Sequence, residues 1–585
     1  MSRFLIVNGL GLLLLALLFA CNAQPAPPSS LTPPLAAVSF PSATPPPVDA
    51  ISGTVHDPNG APIPGATVRV KATENKTTSD TDGSFTLHGL SADKALLLTA
   101  WAPGYFNGGE AQKRLPGEMN VEIVLHSIPA GDNESYPWLS AITAGGQSGS
   151  CENCHSALAL GSSASLGGQA LPFEEWQQGA HALSAENPRF LSMYLGRDVL
   201  GNQSPLTRYG YSRDYGRIPL SPDLTQPYFG PGYKLDFPDT AGNCAACHVP
   251  AAAIDDAYGI DPAAALGTAA EGVTCDFCHK IGGVKLDRLT GLPQPNMPGV
   301  LSFEFLRPPD GHQYFAGPLD DVAPGEDTYA SIQQQSQFCA PCHYGTFWNT
   351  TVYDSFGEWL GSPYNDPVSG KTCQDCHMPH SGASFIALPD KGAVERDPET
   401  IFSHRMPGAS SADLLQNAVT LNVSASRAGD KIAVTVTIVN DKTGHDVPTD
   451  SPLRQMILLV QARGPDGTGL TQEGGPTIPD YGGVGDPANG YYAGLAGRIY
   501  AKILMELWTE VAPTGAYWNP TRIVSDNRIP PFGSDSGAYT FNAPLQGDAI
   551  IQVRLLYRRA FIQLMDWKGW AVPDILMAQK SLTVP

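Results

Sequence analysis

The sequence lacks an excess of positive charge, a second long apolar run and spare cysteines. Its 585 residues include 35 Lys and Arg against 56 Asp and Glu, which gives a formal net charge of −21. Because nucleic acids and anionic membrane surfaces attract basic proteins, this balance argues against both as partners. After the first 21 residues, no stretch is long and apolar enough to span a bilayer.

The first of the eleven cysteines stands at the end of the only long apolar run. Arg3 gives the run a positive start, the apolar residues extend from Phe4, and Leu-Phe-Ala directly precedes Cys21. This order resembles a bacterial lipobox. We therefore expect residues 1–21 to be a lipoprotein signal peptide and Cys21 to carry the lipid of an exported, periplasmic or outer-surface protein. A plain signal peptide and a transmembrane anchor are the alternatives.

The other ten cysteines all belong to Cys-x-x-Cys-His motifs, so none is left to form a disulfide. Cysteines at positions i and i+3 share one face of a helical turn, and both sulfurs can reach the vinyl groups of one porphyrin. The histidine that follows is then an axial ligand of the iron. Zinc binding and dithiol chemistry are the alternatives, but five motifs with histidine in the fifth place favour five covalent haems c. The motifs are Cys151-x-x-Cys154-His155, Cys244-x-x-Cys247-His248, Cys275-x-x-Cys278-His279, Cys339-x-x-Cys342-His343 and Cys373-x-x-Cys376-His377.

The remaining histidines match the number of irons. Of 13 histidines, five belong to the motifs and three lie near the N-terminus. The five that remain are candidate sixth ligands, which would give bis-histidine haems. They are His181, His312, His380, His404 and His445. Met378 and Met406 are alternative sixth ligands that would raise the reduction potential.

Four segments around these histidines resemble parts of cytochrome c554-like multihaem proteins and their octahaem relatives. They are the Trp-Gln-Gln-Gly-Ala-His segment 176–181, the segments 373–380 and 403–408, and the Gly-His-x-x-Pro-Thr element 444–449. The resemblance implies a pentahaem cytochrome c domain over residues 140–410, rich in loops and short helices. Gly444 and Pro448 would fix the loop that carries His445, and we therefore expect His445 to supply the sixth ligand of one haem from the C-terminal domain. The family includes electron carriers and reductases.

Two β-rich regions flank the motifs. Residues 22–50 are rich in Pro, Ala and Ser and read as an extended linker. Residues 51–127 alternate between apolar and polar side chains with turn signals between the runs, which predicts a small all-β sandwich. The order of its strands and turns resembles the carboxypeptidase regulatory-like domain, a transthyretin-like sandwich, and implies a spacer or adhesion module.

Residues 415–585 predict a second sandwich, of the immunoglobulin-like kind, from alternating or buried strands at 431–440, 455–461 and 549–557. A long excursion at 475–535 carries one predicted helix at 495–508. The whole chain is therefore expected to be multidomain, with a loop-rich haem domain between two β-sandwiches.

The function that these features predict is electron transfer outside the cytoplasm, between redox partner proteins or from a quinol-linked donor. The short separations between the second and third motifs and between the fourth and fifth predict neighbouring haems. The alternative is a reductase of a small nitrogen or sulfur oxyanion with one open haem iron. The Cys-x-x-Cys-Lys motif of pentahaem nitrite reductases is absent. The substrate site of such a reductase would use arginines from the set Arg405, Arg454, Arg522 and Arg528.

Overall fold

The computed structural model describes residues 49–109, 112–143, 149–159 and 166–585. The predicted signal peptide, its Cys21 and most of the predicted linker lie outside these residues. Among the described residues, no helix has the length and apolar character that crossing a bilayer requires. All of them belong to one compact unit.

The N-terminal β-domain, residues 49–127, is built from seven short strands in two sheets. The sheets have the orders β4-β1-β7 and β3-β2-β5-β6. Buried and accessible residues alternate along β1 and β2, which places Ile51, Val55 and Val68 in the core between the sheets. Fully burying each such side chain contributes about 1.5–3 kcal/mol. The predicted small all-β domain is confirmed. The strands are β1 (Ile51–His56), β2 (Thr67–Val70), β3 (Lys76–Thr78), β4 (Ser84–Leu87), β5 (Leu98–Trp101), β6 (Gly108–Gly109) and β7 (Val121–Val124).

The motif region, residues 133–416, contains short helices and two-stranded ribbons in place of large sheets. The helices are α1 (Glu152–His155), α2 (Pro172–Gln177), α3 (Pro188–Leu195), α4 (Tyr233–Asp236), α5 (Ala245–His248), α6 (Pro250–Ala253), α7 (Cys275–Cys278), α8 (Ala340–His343), α9 (Ser355–Leu360), α10 (Cys373–His377) and α11 (Ala412–Gln416). The strands are β8 (Tyr209–Ser212), β9 (Gly216–Pro219), β10 (Ile281–Val284), β11 (Phe303–Phe305), β12 (Phe315–Gly317), β13 (Asp327–Tyr329), β14 (Gly345–Phe347) and β15 (Thr350–Tyr353). The expected abundance of loops and short helices is confirmed.

The C-terminal sandwich, residues 420–584, consists of two four-stranded sheets with the orders β16-β17-β23-β19 and β20-β18-β24-β25, and a separate two-stranded sheet of β21 and β22 accompanies them. Its core joins Val434, Leu458 and Val553 from strands of both sheets. The strands are β16 (Thr420–Ala428), β17 (Lys431–Val439), β18 (Gln455–Arg463), β19 (Gln472–Gly474), β20 (Gly497–Tyr500), β21 (Lys502–Glu506), β22 (Thr521–Asp526), β23 (Ser534–Asn542), β24 (Ala549–Arg558) and β25 (Ile575–Val584), and α12 (Ile562–Lys568) lies between the last two.

The predicted helix at 495–508 is wrong. The segment forms β20, which pairs antiparallel with β18, and β21, which pairs with β22. Ile499 and Ile503 are buried there, and β-branched side chains fit a pleated sheet better than a helix. A local sequence pattern does not show the pairing of β20 with β18, because the partner residues, such as Met456 opposite Tyr500, lie some forty positions earlier.

Candidate haem-binding cavity

Each Cys-x-x-Cys-His motif folds as a single helical turn. In four of them, the histidine N–H donates to the carbonyl of the first cysteine, as in His155 to Cys151 at 3.0 Å and His279 to Cys275 at 2.9 Å. The fifth motif forms the whole of α10, capped by Thr372. A turn of this kind brings both sulfurs to one side. None of these ten cysteines forms a disulfide.

One cavity collects residues from all five motifs. Its volume is about 3740 Å³, and its wall includes the five motif histidines together with His181, His312, His404 and His445. Ordinary ligand pockets occupy about 300–1,000 Å³, and packed interiors leave few voids larger than a water molecule. The cavity therefore has room for several large groups.

The motif histidines are held in the tautomer that a metal requires. The Nδ1 atoms of four of them lie next to a backbone carbonyl oxygen, which can only accept a hydrogen bond, so each Nδ1 carries the proton. The Nε2 atom keeps its lone pair, and a second hydrogen bond of this kind is typical of metal-binding histidines. The bonds are His155 to Ile386 (2.7 Å), His248 to Ser184 (3.2 Å), His279 to Ala316 (2.8 Å) and His377 to Pro407 (2.7 Å). Two candidate sixth ligands share the pattern, His404 with Phe402 (3.2 Å) and His445 with Asp446 (3.0 Å).

Burial keeps four of the imidazoles in the cavity neutral. Loss of hydration lowers the pKa of His181, His248, His377 and His404 to about 4 in each case. A neutral imidazole is the form that binds a metal. At neutral pH these four rings are therefore ready to act as ligands.

Three candidate sixth ligands lie opposite a motif histidine, at a distance between ring centroids that would accommodate one metal ion. The ring centroids are 6.3 Å apart for His181 and His343, 6.4 Å for His279 and His404, and 6.3 Å for His377 and His445. A metal–imidazole bond is about 2.0 Å long and the bound nitrogen lies about 1.1 Å from its ring centroid, so two imidazoles on opposite sides of one metal have centroids about 6.2 Å apart. The three pairs have this spacing.

His312 and His380 are not brought to a motif histidine in this way. His312 lines the cavity but stacks on Phe106 of the N-terminal β-domain, with centroids 5.3 Å apart. His380 is absent from the cavity wall, is 44% exposed and lies 3.7 Å from the Glu399 carboxylate. Met378 and Met406 both line the cavity.

His445 is fixed by bonds to its backbone. Its carbonyl accepts hydrogen bonds from the Asn440 side chain at 2.9 Å and from the Thr443 hydroxyl at 2.7 Å. Gly444 allows close packing, since a Cβ there would lie 2.8 Å from Tyr364. The expected rigidity of this loop therefore comes from packing and hydrogen bonds.

The surroundings of His248 differ from those of the three paired rings. In the described part of the chain its ring contacts no other histidine but stacks face to face on Phe190, with centroids 3.7 Å apart. Nearby, the rings of Tyr353 and Tyr517 meet edge to face at 5.5 Å. Burial raises the pKa of both tyrosines, and the Cys244 thiol adds a smaller contribution. Arg454, held 3.5 Å from Asp450, lines the same cavity. No local motif marks the two tyrosines, so sequence reasoning missed them.

Of the other arginines predicted for a substrate site, Arg405 lines the cavity and two do not. Arg528 is buried in ion pairs with Glu358 (2.5 Å) and Asp446 (2.9 Å), which anchor the His445 loop. Arg522 is exposed on β22 and also lies off the cavity wall. Arg528 therefore has a structural role.

Hydrogen bonds between thiols show which motifs are neighbours. They join Cys151 to Cys275, Cys342 to Cys247 and Cys339 to Cys373. The fourth and fifth motifs are thus adjacent, in line with their short separation, whereas no bond of this kind joins the second and third motifs among the described cysteines. The second motif meets the fourth through its thiols, and the first meets the third.

Among the described residues, basic side chains outnumber acidic ones on the cavity wall, which is the opposite of the balance in the whole chain. This wall carries eleven Lys and Arg against eight Asp and Glu, whereas acidic residues predominate in the whole sequence. Haem propionates are carboxylates that need such counter-charges. The donors, the tautomers, the volume and the charge all fit covalently held haem. Within the described residues, no group of three or more His, Cys, Asp or Glu side chains converges to hold a metal ion directly.

Comparison with known proteins gives a match at the N-terminus. Residues 50–124 match the family model of the carboxypeptidase regulatory-like domain. Among solved structures, a penta-heme cytochrome c552 from Thermochromatium tepidum is 17% identical, with 70% of this chain and 95% of that chain covered and a TM-score of 0.47. A collagen-binding domain from a Staphylococcus aureus adhesin is 10% identical, with 28% and 95% covered and a TM-score of 0.13. The comparison with curated proteins gave no match. The match covers nearly the whole of the N-terminal β-domain, residues 49–127.

Proposed function

We propose that the protein is an extracytoplasmic pentahaem c-type cytochrome that transfers electrons between redox partners. The observation that carries the proposal is the set of three histidine pairs, each separated by the width of one bound metal. A haem iron with two imidazole ligands has no open position and exchanges electrons without binding substrate. The paired histidines would hold the iron between them, and the cysteines of each motif would fix the porphyrin.

The contacts between motifs support transfer along a connected path. Thiols of the first and third, second and fourth, and fourth and fifth motifs lie close enough to interact. The Cys278 thiol of the third motif also lies near Cys339 and Cys342 of the fourth, whose pKa values it raises. All five sites are thereby linked, with the fourth at the branch point. Electrons entering at one end would reach every haem by short steps.

Export and anchoring through Cys21 belong to the same proposal. A lipid on Cys21 would hold the protein at a periplasmic or outer surface, close to a quinol-linked donor or a partner cytochrome. The net charge of −21 favours partners with a basic or neutral docking surface.

Haem stoichiometry and electron paramagnetic resonance of the oxidised protein test the proposal. We expect five covalent haems per chain that survive acid–acetone extraction, and mostly low-spin iron. Cys278→Ala should leave one haem held by the single thioether of Cys275, so its attachment weakens and covalent haem falls by at most about one fifth. A colourless polypeptide after extraction would contradict the covalent assignment.

A reductase is the second candidate, favoured by the surroundings of His248. Its ring has no histidine partner, and Tyr353, Tyr517 and Arg454 supply hydrogen-bond donors to the same cavity. Burial raises the pKa of Tyr517 to about 12, so its hydroxyl stays protonated and able to donate at neutral pH. A small oxyanion such as nitrite would suit these donors.

Ligand binding separates the two candidates. Under the reductase reading, carbon monoxide should shift the spectrum of one reduced haem, and Tyr517→Phe should weaken nitrite binding several-fold. Tyr211→Phe is the control, because Tyr211 is 83% exposed and lies off the cavity wall. If none of the five haems binds carbon monoxide or nitrite, the reductase is excluded and electron transfer is the remaining function.

A further inference from the structure

The N-terminal β-domain is joined to the motif region by many specific bonds, whereas its family resemblance implied a spacer. The guanidinium of Arg69 pairs with Asp320 at 2.8 Å, and the Trp101 indole donates to the Thr328 hydroxyl at 3.2 Å. Asn107 donates to the carbonyl of Val322 at 2.8 Å. These three residues come from β2, β5 and the segment before β6, so one side of the N-terminal β-domain contacts the motif region.

A buried ion pair lies at the centre of the contact. Asp321 is 1% exposed and accepts hydrogen bonds from the backbone N–H of Ala72 at 2.7 Å and from Arg396 at 2.7 Å. A buried carboxylate is stable only when such partners surround it, so the contact requires the backbone N–H of Ala72 at this position. The turn after β2 is therefore tied to two separate segments of the motif region.

The docked domain forms part of the cavity wall. Arg69, Lys71, Lys76 and Trp101 all line the cavity together with residues of the five motifs. Phe106 stacks on His312 at 5.3 Å and meets Tyr314 edge to face at 5.0 Å. The domain thus contributes cations to the cavity and sets the position of one of its histidines.

Lys71 is the cation whose charge is not matched. Its side chain is half-buried, and in the described part of the chain no hydrogen bond or ion pair reaches its ammonium. Asp321 attracts it from a distance, but that carboxylate is already bound by Arg396, and the Arg396 charge repels Lys71. A half-buried ammonium in a cavity needs an anion.

We infer that Lys71 binds a propionate carboxylate of a haem, so that the carboxypeptidase regulatory-like domain is a built-in wall of the haem cavity. This inference rests on the proposed function. Reduction adds an electron to a haem, and a nearby cation stabilises the reduced form more than the oxidised form. Lys71 therefore raises the reduction potential of its haem, and the domain adjusts the potential of the cytochrome.

The test is a spectroelectrochemical titration of the full-length holoprotein and its variants. Lys71→Gln should lower one of the five midpoint potentials by about 59 mV, which is a tenfold change in a one-electron equilibrium. Lys71→Arg keeps the charge and should restore the potential. Lys94→Gln is the matched control, because Lys94 is an exposed lysine of the same domain that does not line the cavity.

The outcomes are distinct from those that test the proposed function. A chain that carries no covalent haem contradicts the proposed function itself. A Lys71→Gln protein with five haems and five unchanged potentials refutes only the role of Lys71. If Lys71→Gln loses a haem that Lys71→Arg retains, the charge is needed to hold that haem and the inference stands. A shift that appears only when inorganic phosphate is added would assign the site to a free anion and overturn it.

Discussion

Replacing His445 by alanine tests whether the C-terminal sandwich supplies a haem ligand. The His445 ring faces His377 with 6.3 Å between centroids, the spacing of two imidazoles on one iron. The bonds that hold the loop involve the backbone, including the Asp446 N–H to Glu358 at 3.0 Å. Alanine keeps these backbone bonds and removes only the ring with its Nδ1 bond to the Asp446 carbonyl, so the loop stays in place.

Under the proposed function, the expected effect is the loss of one low-spin haem centre. The low-spin signal in electron paramagnetic resonance should fall by about one fifth, and a high-spin signal of matching intensity should appear, because a histidine-ligated iron loses its strong sixth ligand. Carbon monoxide should bind the opened iron after reduction. The covalent haem content should stay at five, since the thioether links of Cys373 and Cys376 are untouched.

His88→Ala is the control, because His88 is an exposed residue of the N-terminal β-domain and does not line the cavity. It should leave the spin states and potentials unchanged. A His445→Ala protein with five low-spin haems at unaltered midpoint potentials would refute the ligand role. The iron at His377 would then take its sixth ligand from elsewhere, for example Met378 or Met406, which line the same cavity.

Two further predictions concern stability and anchoring. Asp321→Asn should lower the free energy of unfolding by about 3–5 kcal/mol, because it leaves the buried Arg396 guanidinium without its counter-charge. Thermal and urea unfolding measure this change. As the control, Asp390→Asn at an exposed position should change the free energy of unfolding by less than about 0.5 kcal/mol. An equal effect of both changes would contradict the role of the ion pair. Cys21→Ser should move the protein from the membrane fraction to the soluble exported fraction without changing its visible spectrum, and a variant that stays in membranes would point to a retained apolar segment.

The strands and the motifs could be predicted because their signals are local. Alternation at 431–440 gave β17 within one residue, and the apolar run at 549–557 gave β24. Each motif carries its own helical turn, so five residues suffice to define it. The helix expected at 495–508 failed because its strand character depends on pairing with β18 and β22.

The arrangement of the site could not be predicted, because it depends on long-range packing. His181 follows the first motif in sequence but faces His343 of the fourth, and His404 follows the fifth motif but faces His279 of the third. The count of histidines predicted five pairs, yet His312 and His380 face no motif histidine. Docking of the N-terminal β-domain likewise depends on Asp320 and Asp321, some 250 residues after the strand they contact.

These crossed pairs bear on how a region with so little regular structure stays folded. A bond between distant residues removes chain entropy from the unfolded state, and the gain grows with the length of the loop it closes. Under the proposed function, an iron between His181 and His343 closes one long loop, and an iron between His377 and His445 ties the motif region to the C-terminal sandwich. The haems would thus act as cross-links where strands and long helices are scarce. It follows that the motif region should be disordered in a chain made without haem, while the two β-sandwiches, whose cores contain no motif residue, should fold.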